Sequence, residues 1–314
     1  PLNKAVKQLS ERLLDKDTSG SRGEVEKNLE SMISQEILLA IKNEAQEEEK
    51  DKRGLFTFAK ILKYMAKIGI AVFKRYRKKT HHGIWLTIQE EVYRSLYIDH
   101  IGSWVWSQMK KDTHDAFGDG DDYAGTAFIE FIRANVQSNR KIVLVGHSTG
   151  AVYICNFLKH CDRLGLDANF KYDIVFLAAA CNHELMAKTI EDHADRINDI
   201  RSFGMKDQVE RDDNMVPIIY PASLLYFVSA LLEGTKAEDI DKPLVGMERY
   251  YEDRRPYSNN EDVQKVKAFL NGKLVWSVVT GQSGWNADST DHGGFDDAGK
   301  ETMNSVKHII QNGF

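Results

Sequence analysis

Four apolar runs punctuate the second half of the chain. Ile142–Val145 leads directly into Gly146-His147-Ser148-Thr149-Gly150. Tyr172–Ala180 reads Tyr-Asp-Ile-Val-Phe-Leu-Ala-Ala-Ala, Ile197–Met205 reads Ile-Asn-Asp-Ile-Arg-Ser-Phe-Gly-Met, and Leu274–Thr280 reads Leu-Val-Trp-Ser-Val-Val-Thr. Short runs rich in β-branched and large apolar residues predict buried strands. Helical spacing fills the intervals. Ala151, Val152, Ile154, Cys155, Phe157 and Leu158 predict a helix after the first run, residues 184–196 a second, and about 297–311 a closing one. Strands that alternate with helices predict a parallel sheet covered by helices.

The first half has a different rhythm. Leu2, Val6, Leu9, Leu13 and Leu14 share one helical face over residues 2–14, and Val25, Leu29, Met32, Ile33, Ile37, Leu38 and Ile41 another over 24–48. The charge run from Glu44 to Arg53 suits a solvated helix end. Over residues 55–78 an apolar stripe (Leu55, Phe58, Ile61, Leu62, Met65, Ile68, Val72, Phe73) is accompanied by Lys60, Lys63, Lys67 and Lys74. At about 100° per residue those lysines fall on one face. The lysines argue against a membrane span. Packing on the body is the favoured expectation, with peripheral membrane contact through residues 55–78 as its rival.

Trp85, Trp104 and Trp106 fall within residues 80–115, which read as a helical cap or core segment. Asp119, Asp121 and Glu130 stand at the first, third and twelfth places of a calcium loop. Tyr123 and Ala124 occupy places that need an oxygen ligand and a glycine. The better expectation is that Asp121 or Asp122 caps a helix over Thr126–Ala134. Lys206–Asn214 reads as a charged loop. Met215–Leu232 is apolar and carries Pro217 and Pro221, which disfavours a span and suits a core or lid helix. The predicted organisation is a mainly helical cap or insertion over 1–137 and an α/β catalytic core over 138–314.

Composition adds bounds. With 314 residues, 42% hydrophobic and 28% charged, the chain has the make-up of a globular protein, and a net charge of −5 leaves no nucleic-acid footprint. Its three cysteines, Cys155, Cys161 and Cys181, lie in or near apolar segments without metal-ligand spacing. They predict buried free thiols in a reducing compartment. No signal-peptide pattern opens the sequence, so a cytoplasmic location is expected.

The chemistry concentrates at Gly146–Gly150. Strand, Gly-x-Ser-x-Gly, helix is the arrangement that holds a nucleophilic serine at the tip of a tight turn, beside the free N–H groups of a helix N-terminus. The two glycines are expected to relieve crowding in the turn. A serine hydroxyl needs an imidazole base, and the base an orienting carboxylate. His292, in Ser-Thr-Asp-His-Gly-Gly-Phe between the last strand and the last helix, is the expected base; His147 sits inside the turn, and His160, His183, His193 and His308 are placed less well. His-Gly-Gly can also mark an oxyanion loop, but such a loop precedes the nucleophile. Asp207, just past the third strand, is the expected acid, and Asp213 is its competitor. The Thr149 N–H is the expected oxyanion donor, and no second donor is visible.

Gly146-His147-Ser148-Thr149-Gly150, the Asp207 region and Asp291-His292-Gly293-Gly294-Phe295 together resemble the α/β-hydrolase superfamily over roughly residues 141–314. The likeness is to bacterial esterase- or lipase-like members with a large helical insertion. It implies an α/β-hydrolase-type, mostly parallel sheet flanked by helices. It also implies a serine hydrolase that cleaves a small-molecule or lipid-like ester (or a thioester or amide) through an acyl-enzyme, with no cofactor or metal. The alternative is a non-catalytic interaction or membrane-docking module. Members of that superfamily carry early strands and an oxyanion loop before the nucleophile; neither reads here. The expectation is therefore that the early strands are missing from this chain, and that a further segment or a partner subunit covers the sheet edge.

Overall fold

The computed structural model describes residues 68–83, 86–88, 90–91, 94, 102–120, 122–213, 222–233 and 241–314. The chain divides into two compact units, residues 1–96 and 97–314. The helices over 102–135 belong to the unit that holds the sheet. The expected helices over 2–14 and 24–48, the lysines at 60, 63 and 67, and Trp85 lie outside the described residues.

In the first unit, residues 68–78 form helix α1. Arg75 is fully buried and donates to Glu90 (2.5 Å) and Glu91 (3.3 Å). His82 Nδ1 meets the other oxygen of Glu90 at 2.7 Å. His81 stacks on Tyr76, ring centroids 3.9 Å apart. A buried arginine and carboxylate persist only when paired, so this cluster fixes the unit internally.

The second unit runs α2 (Gly102–Asp115), α3 (Ala124–Asn135), β1 (Ile142–His147), α4 (Gly150–Arg163), β2 (Tyr172–Leu177), α5 (His183–His193), β3 (Ile197–Met205), α6 (Asp207–Asp212), α7 (Leu224–Phe227), α8 (Glu261–Phe269), β4 (Leu274–Ser277) and α9 (Glu301–Asn312). The four strands form one parallel sheet in the order β1-β2-β3-β4. The sheet is flanked by helices, so the α/β class read from the alternating pattern holds. β2 is buried at every position, as its unbroken apolar run requires.

The main core sits between the sheet and α4, α5 and α3. Ile174 and Phe176 of β2 meet Val152, Cys155, Phe157 and Leu158 of α4, Met186 and Ala187 of α5, and Ile129 and Ile132 of α3. All three cysteines are buried and free. Two predicted strands are shorter than expected: β2 ends at Leu177 and β4 at Ser277. β2 stops because Ala178 takes a positive φ of 44°. The N-cap of α3 is Tyr123, with no side-chain bond, so Asp122 does not cap it; Asp121 lies outside the described residues. The segment read as a charged loop instead contains the short helix α6. Its buried positions, Asp207 and Glu210, are polar, so no apolar stripe announced it.

Of the apolar Met215–Leu232 stretch, the described part forms α7 and one π-helical turn, Val228–Leu232. Ser223 caps α7 by accepting from the Tyr226 N–H. Trp106 of α2 is buried, and its indole N–H donates to Glu233, next to that turn, at 2.7 Å. Lys110 Nζ (2.7 Å) and Asn182 Nδ2 (3.1 Å) share the same carboxylate. The tryptophan region and the apolar stretch thus meet beyond the carboxyl end of β2. No helix among the described residues is long and apolar enough to cross a membrane.

Candidate active site

The turn after β1 is built by steric constraint. Ser148 has φ = 53°, the left-handed region that a side chain enters at a cost of about 1–3 kcal/mol. Three backbone bonds hold it there. Its N–H donates to the Leu177 carbonyl (2.9 Å), and its carbonyl accepts from the N–H groups of Ala180 (3.0 Å) and Ala151 (3.1 Å). Gly146 is required: a Cβ there would lie 2.8 Å from the carbonyl carbon and oxygen of Gly150 and from Ile154. Gly150 is not required in the same way, since a Cβ on it meets nothing within 4 Å. The expectation that both glycines relieve crowding holds for the first alone.

A second close approach backs the turn. A Cβ on Gly246 would come within 2.5 Å of the Ala179 nitrogen. The glycine lets the 244–247 strip lie on residues 178–181, bonded through Gly246 N–H to Ala179 (2.9 Å) and Val245 N–H to Cys181 (2.9 Å). The strip buttresses the residues that carry the Ala180 N–H to Ser148.

Thr149 is the N-cap of α4, whose 14 residues start at Gly150. Its hydroxyl makes no capping bond, and its backbone N–H meets no acceptor among the described residues. A free amide at the head of such a helix can meet developing negative charge. The second oxyanion donor, absent from the sequence reading, is not assigned by any contact among the described residues.

His292 comes to this turn from far along the chain. Its ring lies beside that of His147, the residue before the serine, with centroids 5.1 Å apart. Both ring nitrogens of His292 are buried and without a hydrogen-bond partner, so the Ser148 hydroxyl is not bonded to it in this state. Burial, aided by the neighbouring His147, pushes the ring down to about 4, while Asp291 and Asp296 pull weakly the other way. At neutral pH the ring is therefore uncharged and able to accept a proton.

The backbone of His292 is gripped at both ends. Its N–H donates to Asp213 Oδ2 (3.1 Å), and its carbonyl lies 3.0 Å from His147 Nε2. Burial raises the Asp213 carboxyl above its usual range, the bond from the His292 N–H lowers it, and Asp291 raises it. His147 Nδ1 lies 3.2 Å from Asp296 Oδ2. Asp213 is the competitor that the sequence offers for the triad acid, and nothing in the local pattern marks Asp296.

Asp207 is occupied elsewhere. It is buried and accepts from the Tyr226 hydroxyl at 2.6 Å, and that hydroxyl accepts from buried Arg249 at 2.8 Å. Arg211 approaches the other Asp207 oxygen at 3.4 Å, and Glu248 accepts from its backbone N–H at 2.7 Å. No hydrogen bond joins Asp207 to His292. The structure thus brings His292 to His147, the residue before Ser148, with Asp213 at the His292 backbone, and engages Asp207 in a separate buried network. Of the remaining histidines, His183 is buried with both ring nitrogens unpartnered, and His160 and His193 bond Arg163 and Asp162. No protein-family model, curated protein or solved structure matches this chain.

Proposed function

We propose that the chain is a serine hydrolase of α/β-hydrolase type that cleaves a carboxylic ester, or a related acyl compound, through an acyl-enzyme. Ser148 attacks the acyl carbon. His292 takes the hydroxyl proton and later delivers it to the leaving group. The Thr149 N–H receives part of the oxyanion charge. Asp213, rather than Asp207, is the carboxylate of this reading. Its carboxylate already accepts from the backbone N–H of His292, whereas that of Asp207 is held by Tyr226 and Arg211.

One observation carries the proposal: a serine at φ = 53° on a strand-to-helix turn, three backbone bonds deep, with an uncharged buried histidine ring beside the preceding residue. Strain of this kind persists at a non-glycine position only when the surroundings enforce it, and it is concentrated at functional turns. The unmade bond between Ser148 and His292 is compatible, since such bonds often tighten only on substrate binding.

A fluorophosphonate probe tests the reading. Covalent labelling of the intact chain that vanishes in Ser148→Ala is the expected result. An unlabelled, folded wild-type chain defeats the proposal and leaves the interaction-module alternative.

A further inference from the structure

The contacts of His147 carry information about its protonation. Nε2 faces a backbone carbonyl, His292 O, at 3.0 Å, and Nδ1 faces a carboxylate oxygen, Asp296 Oδ2, at 3.2 Å. A carbonyl and an ionised carboxylate can only accept. Neutral imidazole has one N–H, so it can satisfy one of these contacts and must turn a lone pair against the other. Only the doubly protonated ring makes both.

The carbonyl contact matters because of what it holds. The ring of His292 has no hydrogen bond of its own. Its position is set by the two grips on its backbone, Asp213 at the N–H and His147 at the carbonyl. We propose that His147 and Asp296 form a protonation-dependent latch that positions the His292 loop on the Ser148 turn. This rests on the reading of Ser148 and His292 as nucleophile and base. His147 is here a positioning residue and takes no part in the chemistry itself.

The charged and titratable groups around the latch are few. From the 291–297 loop come Asp296, the His292 ring and Asp291, whose Oδ1 accepts from the Gly294 N–H at 2.9 Å. From the end of α6 comes Asp213, bonded to the His292 backbone. Phe295 contributes only an apolar ring, 6.5 Å from His147. Among the described residues Asp296 is the one carboxylate in direct contact with His147, and its side chain is 59% exposed, so it can be changed without opening the core.

The latch predicts a two-sided pH profile for acylation. On the acid side the rate rises as the His292 ring loses its proton. On the alkaline side it falls as His147 loses one of its two, because the carbonyl grip or the Asp296 contact is then lost. Asp296→Asn removes the anion that favours the doubly protonated ring, so it shifts the alkaline limb to lower pH. His147→Gln does not titrate, so it removes that limb and slows acylation on the order of ten- to a hundredfold through misplacement of the base.

The test has two arms on the intact chain. Long-range proton–nitrogen NMR of the resting protein reads the protonation of His147, and the rate of fluorophosphonate labelling against pH reads the latch. Expected are a His147 ring protonated at both nitrogens at the pH where labelling is fastest, and the limb shifts above in variants with wild-type Tm. A neutral His147 at that pH with full labelling, or an alkaline limb unmoved in both variants, overturns the latch alone. No labelling of a folded wild type whose His147 is doubly protonated overturns the hydrolase reading, and with it the positioning role.

Discussion

Asp207 and Asp213 stand six positions apart on and just after one short helix, and their surroundings give them different work. Asp207 ends a buried chain that runs from Arg249 through the Tyr226 hydroxyl. Asp213 holds the backbone of His292. Asp213→Asn is therefore expected to slow acylation by about 10²–10⁴-fold, the scale seen when a triad carboxylate is neutralised, with little change in stability. Asp207→Asn is expected to do the reverse. It leaves Arg249 and Tyr226 without the carboxylate at the end of their chain, at roughly 1–3 kcal/mol, while the labelling rate of the folded fraction stays near wild type. Urea unfolding and labelling kinetics on both variants check the pair, and a swapped pattern would restore Asp207 as the acid. The sequence could not separate the two, because both follow the third strand at plausible distances. What separates them is whether Tyr226 or His292 reaches the carboxylate, and that depends on α7 and on the 291–297 loop. Ser148, by contrast, was legible, since strand, turn and helix are contiguous and each leaves a local pattern.

At the scale of elements, apolar runs marked the strands correctly and polar packing hid what lies between them. α6 was invisible as a helix because the residues it buries are Asp207 and Glu210. Glu210 is fully buried, and its Oε2 accepts from the Ser223 hydroxyl at the start of α7, while Oε1 has no partner. Burial pushes its carboxyl up to about 8, opposed by the Ser223 bond and reinforced by Asp213 and Asp207. The folded state thus keeps the proton that the unfolded chain gives up near an ordinary glutamate value of about 4.3. Between those two values the unfolded state binds fewer protons, so stability falls as pH rises, by at most about 1.4 kcal/mol per pH unit from this group. The contribution is complete below about pH 4.3 and lost by about pH 8. Glu210→Gln keeps an acceptor for Ser223 and cannot ionise. Its Tm is expected to exceed wild type near pH 8 and to converge with it near pH 4. Melting curves that stay parallel across that range would mean that Glu210 is ionised in the folded protein.

At the scale of the molecule, the sheet raises the question of its outer edge. The strand that delivers Ser148 is the first in a row of four, and among the described residues no strand pairs its far side. Val145 of that strand is 42% exposed, which is unusual in a parallel sheet. The alternation along β1 says which amides are affected. Ser148 N–H points to β2 through the Leu177 carbonyl, so Gly146, Leu144 and Ile142 point the same way, while Val143, Val145 and His147 point outward. We expect the isolated chain to show a zigzag in amide hydrogen exchange, with the outward amides exchanging at least about a hundredfold faster than Leu144 and Gly146 between them, because they lack a ladder partner. Uniform protection along 143–147 would instead mean that a further strand, from this chain or another copy, seats on that edge. If the zigzag is found and then disappears when a second protein is added, that protein is the covering partner expected from the sequence. The loop on its completed edge then becomes the place to look for the second oxyanion donor, since among the described residues the outward side of the strand that delivers Ser148 has no partner.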